Sequence, residues 1–436
     1  MGLETIPGTQ ITYGLIAFDD EGRERLDDSS LMSARLLQKA ATEPITDVFF
    51  FCHGWKGDVP AAKEQYARWM GALMSCPDRL RAERAFPQFS PLLVGLHWPS
   101  QPWGDEELSS GAFAAGESPS ISMLRETYLD RLGRRDDIRR PLEVILEAAR
   151  TNSAATELPP EVRQAYLDLN DALGLKSEGV EAPPDADRNP FDPDAAFEAA
   201  NLEGIAFGDL NLGGLLGPLR QLSYWTMKKR ARTVGEGGMH VFLNNLQHAT
   251  ATRGTRIHLM GHSFGTIVVS GMLGGPDCKG TLQRPVDSVV LVQGAVSLWS
   301  YAASIPFGKN RPGYFQRVLL DGKVRGPLVT TRSRHDSAVG VLYPLASRLN
   351  GSAEFAANFP EFGAIGTFGL QGLAEGIGSD STMLPATGTY KFAKGRVYNL
   401  DASTYIAKKE GASGAHSDIA GPEVAHTIWE AAFAAA

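Results

Sequence analysis

Short apolar runs recur along this chain, and most are followed by stretches with helical spacing. "ITYGLIAFD" (11–19) reads as a strand. "DVFFFCHG" (47–54) is almost continuously apolar, as a strand buried on both faces must be. "PAAKEQYARWMGALMS" (60–75) places Tyr66, Met70 and Leu73 on one helical stripe, with Pro60 suited to the first turn. "PLLVGLHWPS" (91–100) predicts a third strand. The rhythm breaks between 101 and 217, where two helical pieces, "SMLRETYLDRLGRR" and "PPEVRQAYLDLNDAL", sit in acidic, Pro-rich text. "SEGVEAPPDADRNPFDPD" (177–194) is polar and almost free of large apolar groups, which predicts a mobile linker. "GIAFGDLNLGGLLGPL" (204–219) is apolar but Gly-rich and reads as a loop packed on something.

The alternation then resumes. Residues 219–250 predict one long helix or two in series, with Gly235, Gly237 and Gly238 marking a break. Next come "RIHLMGHS" (strand), "FGTIVVSGML" (helix), "VDSVVLVQGAV" and "GPLVTTRS" (strands), "RVYNLDAS" (strand) and "PEVAHTIWEAAFAAA" (helix). Strands separated by helices predict an α/β protein, a mostly parallel central sheet with helices on both faces. The expected organisation is an N-terminal core part (1–100), a largely helical insertion that is a candidate cap (101–217), and a C-terminal core part (218–436).

A chain of 436 residues, 43% hydrophobic, can bury a large core, as one domain with insertions or as two. Its formal charge of −8 and the lack of a basic stripe speak against nucleic acid or anionic lipid as a partner. The short run Lys228-Lys229-Arg230 reads as the solvated face of a helix. Cys52, Cys76 and Cys278 are too few and too irregularly spaced for a disulfide framework or a zinc site, and no carboxylate cluster has metal spacing. "MGLETIPGTQ" lacks the basic start and apolar stretch of a signal peptide. Ile6 breaks the myristoylation pattern at Gly2, and no apolar run reaches 18 residues. These features predict a soluble, cytoplasmic protein, with export independent of a signal peptide left open.

Candidate chemistry centres on "IHLMGHSFGTIVVSGML" (257–273). Gly-x-Ser-x-Gly alone is a weak signal, but here it lies between a predicted strand and a predicted helix. A serine on so sharp a turn is strained. Gly261 and Gly265 remove side chains that would collide with it, and the hydroxyl of Ser263 then projects beside the positive helix N-terminus. Such a hydroxyl needs a base. Of nine histidines, His416, in the Gly- and Ser-rich loop "GASGAHSDI", can reach across from a strand's C-terminal end. His262 flanks the serine, and its side chain diverges at the turn. His426 lies inside the last helical pattern. His53 and His97 end strands. The base needs an acid to set its tautomer. Asp336, in "PLVTTRSRHDSAVGVL", follows a strand and completes the order Ser263, Asp336, His416. Asp401 and Asp380 are rivals, Asp321 looks like a turn residue, and His335 is a wall residue. Negative charge developing on an attacked carbonyl calls for N–H donors. The expected donors are the backbone of Phe264 and that of Trp55, where Gly54 lets the chain turn closely and His53 ties the loop down.

With "HGW" (53–55), "GHSFG" (261–265), "RHDSAVG" (334–340) and "GAHSDI" (414–419) in this order, the chain resembles the α/β-hydrolase superfamily from about residue 45 to the C-terminus, interrupted by 101–217. It looks most like uncharacterised bacterial lipase- or esterase-like hydrolases. The resemblance implies an eight-stranded-type sheet and a serine hydrolase with a Ser-His-Asp triad and an acyl-enzyme intermediate, requiring no cofactor or metal. The long insertion after "LLVGLHW" departs from the many members whose lid follows a later strand. Expected substrates are small-molecule or lipid esters. Three functions compete: a soluble carboxylic-ester hydrolase, a membrane-acting lipase or phospholipase, and a catalytically idle interaction module. Segments 204–217 and 362–385 are candidates for lining an acyl pocket or meeting a lipid surface. Oligomeric state is not legible in the sequence.

Overall fold

Strand β3 (Asp47–Cys52) shows how the sheet is built. All of its side chains are buried, and they alternate between two cores: Val48, Phe50 and Cys52 face one, Phe49 and Phe51 the other. Each such aromatic removed from water contributes on the order of 1.5–3 kcal/mol. The computed structural model describes residues 3–27, 29–55, 58–100, 121–151, 155–207, 214–307, 310–339, 355–356, 359–409 and 413–436. The other strands of the sheet are β1 (Glu4–Thr5), β2 (Thr12–Ala17), β4 (Pro91–His97), β5 (Arg256–His262), β6 (Ser288–Val292), β7 (Leu328–Arg332), β10 (Gly378–Thr382) and β11 (Val397–Asp401). They lie in the order β1-β2-β4-β3-β5-β6-β7-β11-β10. Only the β1–β2 pairing is antiparallel. The two-residue strands β8 (Phe355–Ala356) and β9 (Phe359–Pro360) pair apart from this sheet.

Helices cover both faces. On one side α2 (Val59–Ser75), α3 (Pro77–Ala85) and α13 (Pro422–Ala435) bury Tyr66, Trp69, Leu73, Ile428 and Trp429 against Phe49, Phe51 and Met260. On the other, α1 (Met32–Thr42), α8 (Gly217–Val234), α9 (His240–Ala249) and α10 (Gly265–Gly274) pack over Val48, Phe50 and Leu259. A π-helical turn at Gly235–Met239 joins α8 to α9, where the three glycines predicted a break. Two short helices, α11 (Gln316–Leu320) and α12 (Ile365–Phe368), lie in later loops. Among the described residues no helix is long and apolar enough to cross a membrane.

The layering positions the site. β3 lies between β4 and β5, and Cys52 pairs level with Gly261, so the chain leaves both strands side by side. After β3 it turns into α2 on one face, and after β5 into α10 on the opposite face. In open parallel sheets a crevice for ligands forms outside the strand ends at such a switch point.

Between residues 101 and 217 the described residues include the helices α4 (Ile121–Leu132), α5 (Asp136–Thr151), α6 (Pro160–Ala172) and α7 (Pro193–Phe207). Their core is continuous with the α8 face: Leu129, Ile145 and Tyr166 belong to the same apolar cluster as Leu219 and Trp225. Residues 101–120 and 208–213 lie outside the described residues, so neither the start of the insertion nor the tip of segment 204–217 can be compared with its expectation. Helix α7 absorbs residues 204–207, which the Gly-rich reading placed in a loop.

Two expectations fail together, for one reason. Residues 177–194 are an ordered segment rather than a mobile linker, with Val180, Ala186, Asp187 and Arg188 buried. The run Lys228-Lys229-Arg230 is not a solvated face: the acidic segment folds onto Lys228, and Arg230 donates to the Arg131 carbonyl. Lys228 is 0% exposed and donates to Asp187, while its ammonium sits 4.3 Å over the Trp225 ring. Arg232 pairs with Asp185 at 2.9 Å. Lys229 donates to the carbonyls of Leu173 and Gly174 at 2.9 and 3.2 Å, satisfying the open end of α6. Burial pulls the Lys228 ammonium below its ordinary value, and the Asp187 charge opposes that shift. A sparse apolar content left 177–194 looking unable to order. Charge neutralisation against α8 supplies what apolar burial does not.

Removing one partner of such a pair strands the other in the interior. Asp187→Ala is therefore expected to cost about 3 kcal/mol, and Asp187→Leu combined with Lys228→Met to recover most of it. Urea denaturation followed by circular dichroism measures both. An unchanged midpoint for Asp187→Ala would show that the pair does not hold the segment down.

Candidate active site

Ser263 leaves β5 with φ +55°, in the left-handed region that costs energy for any residue with a Cβ. Three close approaches enforce the turn. A Cβ on Gly261 would stand 2.6 Å from the Gly265 carbonyl oxygen, one on Gly265 would overlap the Cys52 carbonyl, and one on Gly54 would overlap the Cβ of Ser263. The Ser263 backbone is pinned to the next strand, its N–H donating to the Val292 carbonyl at 3.2 Å and its carbonyl accepting from Ala295 at 3.1 Å. Thr266 closes the first turn of α10 by donating its hydroxyl to the Ser263 carbonyl at 2.6 Å.

Asp336 and His416, 80 residues apart, meet at 2.8 Å through Oδ2 and Nδ1. Both are buried, at 3% and 8% exposure. A carboxylate can only accept, so Nδ1 carries the proton and Nε2 is left with a lone pair. The loops holding the two are stitched together: Ala415 donates to the His335 carbonyl at 2.8 Å, beside a bridge between Asp336 and Gly414. His262 ties this assembly to the elbow. Its Nε2 donates to the His416 carbonyl at 2.9 Å, its Nδ1 accepts from Gln65 of α2 at 3.1 Å, and the two imidazoles lie 4.8 Å apart. His262 is thus engaged in hydrogen bonds at both ring nitrogens. Between the Ser263 hydroxyl and His416 there is no hydrogen bond among the described residues. In unliganded sites such bonds are often long and close only with substrate.

The rivals sit elsewhere. Asp401 ends β11, where it accepts from Ser403 at 3.0 Å and lies 3.7 Å from Arg332. Asp380 is in β10, a polar, mostly exposed edge strand that the apolar pattern did not predict. His426 pairs with Asp78 at 2.6 Å and donates to the Gly388 carbonyl at 2.9 Å. Arg81 joins Asp78 and Glu430, so this cluster of metal-ligating types is an ion-paired clasp between α3 and α13. Asp321 caps α11 and pairs with Arg317.

The loop after β3 is held from three sides. His53 donates its backbone N–H to the Tyr66 hydroxyl at 2.9 Å, its carbonyl accepts from the Trp98 indole at 3.1 Å, and its Nδ1 donates to the Gly54 carbonyl at 2.8 Å. Burial, and secondly the nearby His97, push the His53 imidazole down to about 3, so it stays neutral and serves as a tie. Downstream, Asp58 caps α2 by accepting from Ala61 at 2.8 Å. Neither the Phe264 nor the Trp55 N–H has a protein acceptor among the described residues. Such free N–H groups at a buried turn suit an incoming anionic oxygen. Above them the Trp55, Tyr224 and Phe264 rings form a wall, with centroids 5.0–6.0 Å apart. Tyr224 comes from α8, the helix on which the insertion packs.

The large residues of segment 362–385 turn inward. Phe362 is buried beside Trp299 and Leu298 in a satellite core, and Ile365 and Leu370 are buried in the main core. Sequence reasoning missed two members of the site. One is Tyr224, whose signal was an aromatic pair inside the helix text "SYWTM". The other is Gln293, a lone amide ending the apolar run "SVVLVQ". No family model, curated protein or solved structure matches this chain.

Proposed function

We propose that this protein is a serine hydrolase of α/β-hydrolase type, cleaving a carboxylic ester or related acyl bond. The observation that carries the reading is the buried Asp336–His416 pair, tied through His262 to a serine held in a left-handed turn. Support for the fold assignment comes from the parallel sheet, the switch point between β3 and β5, and the strand–serine–helix turn there.

In the proposed reaction His416 Nε2 takes the Ser263 proton as Oγ bonds to the substrate carbonyl carbon. Asp336 stabilises the imidazolium, and the Phe264 and Trp55 amides receive the oxyanion. The tetrahedral species collapses, the bond to the leaving oxygen breaks, and His416 gives that oxygen its proton. A water, deprotonated by His416, then attacks the acyl-enzyme and releases the acid, and the proton returns to Ser263.

The test is labelling of the purified protein with a fluorophosphonate, beside His416→Ala. Labelling of the wild type and loss of it in the variant is the expected result. A correctly folded wild type that fails to label would turn the reading toward an idle interaction module. With labelling established, esters of graded acyl length, offered free and in vesicles, separate a soluble esterase from a membrane-acting lipase.

A further inference from the structure

Gln293 follows β6 directly and is 0% exposed. Its Nε2 lies 2.8 Å from Asp336 Oδ2, the same oxygen that accepts from His416. The orientation of the amide follows from its other contacts. The Thr331 hydroxyl accepts the Gln293 backbone N–H at 3.0 Å, so its own proton is free to go to Gln293 Oε1, also at 3.0 Å. Oε1 is thereby the acceptor end, and Nε2 must be the end that faces the carboxylate. The second oxygen of Asp336, Oδ1, accepts the Val339 N–H at 3.2 Å. The carboxylate is thus gripped at both oxygens, with no arginine or lysine pairing it among the described residues.

We propose that Gln293 is a positioning residue for the Ser263–His416–Asp336 machinery: it aims the Asp336 carboxylate at His416 and moderates how strongly that carboxylate holds the imidazole proton. The proposal rests on the function proposed above. Two donors sharing Oδ2 split its electron density. With the amide gone, the carboxylate keeps its bond to Nδ1 and binds the imidazolium more tightly, but no longer fixes the angle at which the ring faces Ser263. The other titratable group against His416 is His262, from the end of β5. His335 and Arg334 flank Asp336 in the loop after β7, and Asp418 in the base loop is occupied by the Ala407 and Lys408 N–H groups. Neither β6 nor α12 brings a further charge to this oxygen.

The experiment compares wild type with Gln293→Met, which keeps the shape and removes both polar ends, and with Thr331→Val, which frees the amide oxygen and also takes the acceptor from the Gln293 backbone N–H. Each is assayed on one activated ester from pH 5 to 9. Expected for Gln293→Met is a kcat about tenfold lower with KM within twofold, the effect of losing one charge-assisted bond. The acidic limb of kcat/KM should also move to higher pH, because a tighter carboxylate raises the pH at which His416 becomes a free base. Thr331→Val should shift both in the same direction by less. If Gln293→Met does not fold, the Thr331→Val profile decides alone. Variants that lose thermal stability but keep kcat and the acidic limb would overturn the proposal, leaving Gln293 a packing residue. Fluorophosphonate labelling of the wild type separates the two failures: without it the hydrolase reading falls, whereas with it an unmoved profile removes only Gln293.

Discussion

Ser263→Ala is expected to abolish fluorophosphonate labelling and to lower ester turnover by about 10⁵- to 10⁶-fold, the scale on which the nucleophile of a Ser-His-Asp unit acts. The substitution removes one oxygen from a residue that is 3% exposed and whose backbone is pinned by Val292 and Ala295, so the fold should survive it. Alanine has the same left-handed penalty at φ +55° as serine, and the thermal midpoint should stay within a few degrees of wild type. The residual rate then reports what the Phe264 and Trp55 N–H groups and substrate binding achieve without a nucleophile. Loss of less than tenfold in kcat would move the nucleophile elsewhere in the molecule.

The second large effect is at Asp336. Asp336→Asn is expected to lower kcat by about 10⁴-fold, with little change in KM. The surrounding donors explain why an isosteric change is so costly. His416 Nδ1–H and Gln293 Nε2–H both point at Oδ2, and the Val339 N–H points at Oδ1. An asparagine offers one acceptor and one donor end, so in either orientation an N–H faces another N–H. If the NH2 group sits at the Oδ2 position, His416 must hand its proton to Nε2 and can no longer accept from Ser263. If it sits at the Oδ1 position, the tautomer survives but the imidazolium has lost its counter-charge. A kcat within tenfold of wild type would show that His416 works without this acid, and Asp401 would then have to be tested in its place.

Much of the site was legible because it is local. The turn at Ser263 is dictated by its own neighbours: an apolar strand before, a helix after, and glycines where Cβ atoms would strike the Gly265 and Cys52 carbonyls. His416 stood out for its loop, flanked by glycine and serine after a strand. Asp336 could be preferred over Asp401 and Asp380 only by chain order and context, since all three follow or belong to extended segments. Their separation came from tertiary structure, which puts Asp336 at 2.8 Å from His416 and Asp401 beside Arg332.

The misreadings have the same origin. An acidic, Pro-rich stretch and a basic helical run were each judged alone, the first as mobile and the second as solvated. In the folded chain Asp187 and Lys228 neutralise each other, and Arg188 stacks 5.1 Å over Trp225. Strand β10 went unseen because it is polar and lies at a sheet edge, ordered by its pairing with β11 rather than by burial. By itself, then, the sequence determined the alternation of buried strands and helices, the strained serine turn and the residue types of the proposed triad. These depend on backbone sterics and on periodicities that act over a few residues. Tertiary structure alone decided which acid meets the base, that Gln293 grips that acid, and that the 177–194 segment folds onto α8. Those outcomes depend on distances between residues far apart in the chain, and charge or polarity at one position does not say which distant partner will neutralise it.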